Sequence, residues 1–307
     1  MRRQWSSTCR QTERRSAYSY CVNLYIGVAA GVISVSLASI FIRLADAPPL
    51  TVAAYRMGIA AAVVGLASVA VGRGQFRTVR RTDLPLLAVS GLFLAAHFAL
   101  WITSLSYTSI ASSVLLVTTT PVFVAIAGHV FLADRVGRLT ILAVLSSMAG
   151  GVIIAAGDWA EGERRLLGDV LALGGAIAVG GYMLVGRRVR ASIPTLPYVT
   201  VVYGVAAVVL LLAAIAAGAP LLGLPGESYV WMAMAALAPQ VVGHSLLNWA
   251  LGHWPAVNIA LAVRAEPVLA SLLAIPILGE VPAWTALPGG ALLLLGVSLA
   301  IRSDAPR

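Results

Sequence analysis

The end of this chain repeats its middle at a fixed offset, inside a sequence that is apolar almost throughout. Pro121, Asp134 and Gly150 recur as Pro267, Glu280 and Gly296, each 146 residues later. The words around the markers match as well. PVFVAIAGHVFLAD, from Pro121 to Asp134, answers PVLASLLAIPILGE, from Pro267 to Glu280. A duplicated membrane unit with an odd number of spans must insert its second copy upside down. Inverted repeats of that kind build secondary transporters, whose site lies between the halves near the bilayer midplane. Transport is therefore the leading expectation.

The apolar background is what makes the repeat a membrane repeat. Apolar residues are 60% of the 307 and charged ones 11%, with a mean hydropathy of +0.92. That is the composition of a polytopic membrane protein, not of a soluble domain. A helix needs roughly 20 apolar residues to cross about 30 Å of hydrocarbon, so the chain holds about ten spans. The formal net charge is +9, and all 21 basic residues are arginine. Most of them fall in short segments between spans, so the charge speaks for topology rather than for nucleic acid. The absence of lysine excludes a Schiff base to retinal or pyridoxal phosphate. Cys9 and Cys21 both lie in the N-terminal tail and offer neither a disulfide framework nor metal-ligand spacing. No cofactor and no metal are expected.

The fold expected is an all-α integral membrane protein of ten transmembrane helices, arranged as two inverted five-helix repeats. Residues 1–22 read as a basic cytoplasmic tail rather than a cleavable signal, because the apolar run after them is long enough to span. Turn and charge punctuation place the first repeat at 23–157, with spans 23–45, 51–72, 84–105, 110–132 and 138–157. The second repeat, 168–302, has spans 168–186, 197–218, 229–251, 257–278 and 283–301. With the N-terminus inside, the inner segments carry 16 arginines against Arg43, Arg164 and Arg165 outside. That bias puts both termini in the cytoplasm of a multi-pass plasma or inner membrane protein.

Particular words also resemble a known family. Glu266-Pro267-Val268 followed by Leu278-Gly279-Glu280 is similar to the EPV…LGE signature of the drug/metabolite transporter superfamily, in its ten-helix EamA-type branch. In the first half, Tyr55-Arg56 resembles that family's Arg-bearing second helix. Tyr107-Thr108-Ser109, Pro121 and Leu132-Ala133-Asp134 resemble its helix three-to-four pattern, with Asp134 in place of the more usual Glu. The resemblance covers roughly residues 23–302. It implies a small-molecule carrier, often an exporter of amino acids or related metabolites, and leaves the substrate open.

Several residues stand out as candidates for the chemistry. Pro121 and Pro267 fall within helices four and nine, where proline frees the carbonyl four residues back, that of Val117 or Val263. In hydrocarbon such groups need protein cover or a wet cavity. The pair reads as kinks flanking a substrate path, or as ordinary packing prolines. Arg264 and Glu266 are charges deep in helix nine, each costing about 2.5–3.5 kcal/mol or more to insert. They read as coupling residues or as a structural ion pair. His97 and His244 occupy nearly equivalent places in helices three and eight, 147 residues apart, which one insertion in the intervening loop would explain. They suit proton coupling, substrate hydrogen bonding or plain packing. Trp101, Gln240, Asn248 and Trp249 lie within one turn of these histidines, and Tyr182 in helix six carries a phenol that needs a partner. Together they make a mostly apolar pocket with a few polar contacts; the bland reading is helix-interface glue and lipid-interface anchoring. His129 and His253 read as interfacial, as do Asp134 and Glu280. Arg56 reads as structural, snorkelling outward or pairing with Asp46. Gly27, Gly31, Gly174, Gly175, Gly180 and Gly181 mark close helix approaches, sliding or static.

The function expected is a secondary carrier of small amphipathic solutes, neutral or zwitterionic overall, working by alternating access and directed outward. Its partners are the solute, the lipid bilayer and protons as a candidate coupling ion, with no nucleic acid, as a monomer or homodimer. No GxxxxGK[ST] motif is present to bring in ATP. A channel or lipid scramblase is the alternative, against which stands the lack of a polar stripe or charged ring. An intramembrane enzyme is not expected, since neither HExxH nor GxSxG occurs. A reporter fused after Trp159 should read as extracytoplasmic; a cytoplasmic reading would overturn this topology.

Overall fold

The computed structural model describes residues 24–71, 73–124, 127, 137–160, 162–190, 192–250, 262, 263 and 265–303. Among them there is no strand. Six helices are long and apolar enough to cross a bilayer: α1 (Leu24–Leu44), α2 (Pro49–Ala70), α3 (Arg81–Ser104), α6 (Glu163–Arg190), α7 (Thr195–Ala216) and α8 (Gly226–Ala250). Shorter apolar helices accompany them: α4 (Ile110–Val124), α5 (Ile141–Gly157), α9 (Glu266–Leu278) and α10 (Ala286–Gly296). The surface is apolar as well, with Leu66, Val152 and Leu212 well exposed. Hydrocarbon outside and helices inside satisfy the backbone in the only way an open bundle can. The chain is a multi-pass membrane protein.

Local chemistry sets several boundaries. Pro49 opens α2, where its missing N–H costs nothing. Ser109 caps α4, its hydroxyl accepting from the Ser112 amide at 3.0 Å. Gly279 ends α9 in the left-handed region, at φ 66°. One expected boundary moves. Helix α6 begins at Glu163, so Arg164 and Arg165 lie on its first turns rather than in a loop. The helix simply continues beyond its apolar stretch.

The inversion of the repeats is visible in how equivalent helices meet. Helices α5 and α10 are repeat mates and cross antiparallel through their glycines. A side chain at Gly150 would strike the backbone of Gly289 and Leu293; one at Gly296 would strike that of Ala143 and Ser147. Each contact is the other one moved along by the repeat offset of 146, as in the self-complementary interface of a two-fold dimer. Ser146 Oγ donates to the Leu292 carbonyl at 2.8 Å, its own repeat mate, and so marks the pseudo-two-fold axis. Helices α2 and α7 are mates too. Thr51 Oγ1 donates to the Pro220 carbonyl at one end and the Ser68 hydroxyl meets that of Thr200 at the other, so they are also antiparallel.

The remaining close pairs come in symmetric sets. Gly27 and Gly31 of α1 meet Trp249 and Leu247 of α8, while Gly174 and Gly175 of α6 meet Leu100 and Trp101 of α3. The small residues therefore mark the close approaches that their pattern suggested. Adding a methyl at Gly150 or Gly296 should cost about 1–3 kcal/mol, because the obstacle is backbone that cannot swing away. Ala at Gly58, which faces open space, should instead stabilise by about 0.5–1 kcal/mol. Melting temperatures in detergent should fall for Gly150→Ala and Gly296→Ala and not for Gly58→Ala. Equal temperatures for all of them would contradict the seam.

Candidate substrate site

A guanidinium sits inside the bundle. Arg56 lies two turns into α2 and is fully buried, so it neither snorkels outward nor reaches Asp46. Its Nε and Nη2 both donate to Gln240 Oε1 of α8, at 3.2 and 3.0 Å. Its flat face lies over Phe98, 4.4 Å from the ring centroid, and near Trp101 at 5.6 Å. Phe98 and Trp101 are three residues apart on α3 and so share one face. Aromatic faces suit a weakly hydrated, planar cation. This arrangement replaces the outward reading of Arg56.

The histidines belong to the same centre. His97 stacks parallel on Trp101, with centroids 5.8 Å apart, and its Nδ1 lies 3.0 Å from the Gly175 carbonyl of α6. His244 meets the edge of Phe98 at 6.2 Å. Both imidazoles therefore face protein. From α7, the Tyr203 ring is buried within electrostatic reach of Arg56. Glu266, in the first turn of α9, is also within electrostatic reach of Arg56, yet forms no ion pair with it at 4.0 Å or less among the described residues. The centre thus draws His97, Trp101, Gln240, His244 and Glu266 together, and adds Arg56, Phe98 and Tyr203.

Tyr182 and Asn248 form a second polar group, further along the bundle toward Arg190. Tyr182 packs on Tyr198, ring centroids 6.2 Å apart, and has Asn248 as a polar neighbour. The Tyr198 hydroxyl bonds that of Ser90 at 2.9 Å, and the Arg190 guanidinium lies 5.8 Å from the Tyr198 ring centroid. Trp249 covers Gly27 and packs with Leu24, Val28 and Leu247.

Irregular helices position these groups. Residues Ala236–His244 of α8 form a π-helix containing Pro239. Proline lacks the N–H and crowds the carbonyl four residues earlier, which widens the turn. The Ala238 carbonyl is taken by Ser34 Oγ of α1 at 2.7 Å. Such a turn encloses one residue more than an α-helical one. The extra residue that puts His244 out of register with His97 therefore has a place inside the helix. In α4, a turn at Thr118 and Thr119 precedes Pro121. The Val117 carbonyl freed by that proline accepts from Thr120 Oγ1 at 2.9 Å. The same hydroxyl reaches the Ala176 carbonyl of α6 at 3.2 Å. Helix α9 begins at Glu266, after a turn at Ala265, so Pro267 stands in its first turn. Arg264, His129, Asp134 and His253 lie outside the described residues.

One end of the bundle is tied shut. Arg43 Nη2 of α1 donates to the Thr108 carbonyl at 2.8 Å and pairs with Glu280 Oε2 at 3.4 Å. Glu280 Oε1 accepts from the Ile110 amide, capping α4. Thr108 in turn donates to Asp169 of α6 at 3.0 Å. Glu280 thus joins α1, α4 and the end of α9 across that end of the bundle.

Known proteins agree with this architecture. The profile of the EamA-like transporter family matches the chain twice, over residues 23–156 and 166–302. The chain belongs to that family. Among solved structures, one described as "Crystal structure of protein" superposes on this EamA-like transporter with a TM-score of 0.64. It covers 93% of this chain and 99% of its own at 18% identity, a likeness of fold alone. No curated protein sequence matches it.

Sequence reasoning missed Phe98, Tyr203 and the inward course of Arg56. The signal for the first two was their aromatic type on apolar helices, too common to single them out. Pro239 was the signal for the wide turn of this EamA-like transporter. Because Gln240 gives Arg56 its one hydrogen-bond acceptor among the described residues, Gln240→Leu should destabilise by about 1.5–3 kcal/mol. Gln240→Glu keeps an oxygen there and should melt like wild type or above it. A Leu variant that melts like wild type would show the bond to be dispensable.

Proposed function

We propose that this EamA-like transporter is a secondary carrier that exports small amphipathic solutes, amino acids or compounds like them, by alternating access. The observation that carries the reading is the buried polar centre shared between the repeats. Arg56 and the α3 aromatics come from the first; Tyr203, Gln240, His244 and Glu266 come from the second. Groups of this kind are costly in hydrocarbon and mark solute pathways. A site built by both inverted repeats is the one a rocking motion exposes to either side.

The interrupted helices α4 and α9 support the same reading. The turn in α4 lies just before Pro121, and α9 starts one residue before its repeat mate Pro267. The arginine bias supports an orientation with the Arg43 end outward and both termini cytoplasmic, in the cell membrane. The tie from Arg43 to Glu280 then closes the outer side. The solute class follows from the lining, which is mostly apolar with one guanidinium, one carboxyl and amide, imidazole and phenol groups. A polyanion lacks countercharge there. Glu266 is the candidate coupling group, since gaining or losing its proton changes the charge facing Arg56. In this reading the protein has no enzymatic activity and needs no cofactor.

Counterflow in proteoliposomes tests the carrier. An amino acid trapped inside should drive uptake of its labelled form, with saturation; unsaturable flux without counterflow would indicate a channel or scramblase. Glu266→Gln keeps size and polarity but cannot ionise. It should leave counterflow largely intact and abolish uphill transport driven by a pH gradient. Wild-type pH-driven accumulation in the folded Gln variant would remove Glu266 from coupling.

A further inference from the structure

We infer that Arg56 and Trp101 form a carboxylate-binding subsite within the buried centre, with Arg56 as its anchor. The inference deepens the carrier reading and rests on it.

The guanidinium is only half used. Gln240 grips its side edge, through Nε and Nη2. Nη1 is buried with no hydrogen-bond partner among the described residues. The end edge, Nη1 with the second hydrogen of Nη2, is therefore left without an acceptor among the described residues. That edge is one of the forks a carboxylate fits with two parallel bonds. One more buried polar atom close to it also lacks a partner among the described residues, Trp101 Nε1. Trp101 lies under the guanidinium, 5.6 Å away, and Tyr203, whose hydroxyl has Gln240 and Ser245 as hydrogen-bonding neighbours, lies within its electrostatic reach. All three side chains are more than nine-tenths buried. Buried polar groups are nearly always paired. Two unpaired donors, one on the cation itself and one on the indole beneath it, call for an acceptor brought from outside.

The chemistry of that acceptor follows. Indole N–H and guanidinium N–H can only donate, so the guest must accept several bonds. It must also carry negative charge to balance Arg56 in a dry site. One guanidinium balances one charge. A monocarboxylate meets these terms, whereas a phosphate dianion brings a second charge with Glu266 already within reach of the same cation. Phe98, Trp101 and His97 wall the site on the α3 side. They leave an apolar and aromatic surface for the rest of the molecule.

The test compares acids with their amides. A panel of neutral L-amino acids is set against the matching amino acid amides, which keep the side chain and amine but lose the carboxylate. Inorganic phosphate is the third probe. Thermal shift of the purified protein in detergent reads binding, and counterflow in proteoliposomes reads transport. Acids should raise the melting temperature and exchange, with their amides and phosphate far weaker. Trp101→Phe removes the indole donor while keeping an aromatic ring. It should raise the half-saturating concentration of the acids on the order of tenfold and narrow the gap between acids and amides. Arg56→Lys keeps the charge without the fork and should erase the preference for acids. Exchange of amides equal to or better than acids overturns the subsite and leaves the carrier standing. No exchange and no thermal shift with any probe overturns both. Wild-type affinity for acids in Trp101→Phe also overturns the subsite, even if Arg56→Lys does not fold.

Discussion

A positive charge held in the middle of an apolar bundle is the constraint on which the rest depends. Arg56 cannot lose its charge cheaply, and at its depth in α2 it is fully enclosed. Each neighbouring element supplies something to it. Helix α3 lends aromatic faces, α8 lends the Gln240 oxygen, and α7 and α9 bring Tyr203 and Glu266 within electrostatic reach. A buried cation with partial pairing contributes little to stability and is commonly retained for specificity or function. Its neighbours come from both repeats, so the charge ties the halves together where a solute path between them would run.

The two halves are alike in plan and unlike in detail. Helices α5 and α10 meet as equals, with each glycine contact mirrored by its mate. Helix α3 is regular from Leu84 to Ser104, whereas its mate α8 widens into a π-helix around Pro239. That departure aims Gln240 at Arg56. Symmetry supplies the scaffold and the exception supplies the recognition chemistry, since a solute with two different ends needs two different walls.

Much of this was legible in the sequence. The 146-residue offset and the apolar runs located the repeats, and the glycines located the tight crossings. His97, Trp101, Gln240 and His244 stood out as polar or large residues on apolar helices, and they gather in one place. Arg56 was misjudged because its distance from the end of α2 allows a long side chain to reach out as easily as in. Only the packing of Phe98 and Gln240 decides the direction. Trp249 stood near the histidines in sequence, but helix rotation turns it onto Gly27. Pro121 gave away an interruption, but not that Thr120 would take up the carbonyl it frees. The tie between Arg43 and Glu280 joins residues distant in the chain, and no local pattern announces it.

The seam between α5 and α10 also bears on how the protein is made. Its bond from Ser146 to Leu292 spans 146 residues of chain. A ribosome delivers α5 to the bilayer long before α10 exists. During that interval the glycine face of α5, shaped for backbone contact, has only lipid or other chains against it. Long-range pairings of this sort form late, and unfinished faces invite wrong partners. Loss of the final helix would leave that groove permanently unfilled, so quality control has a marker of incomplete synthesis built into the middle of the chain.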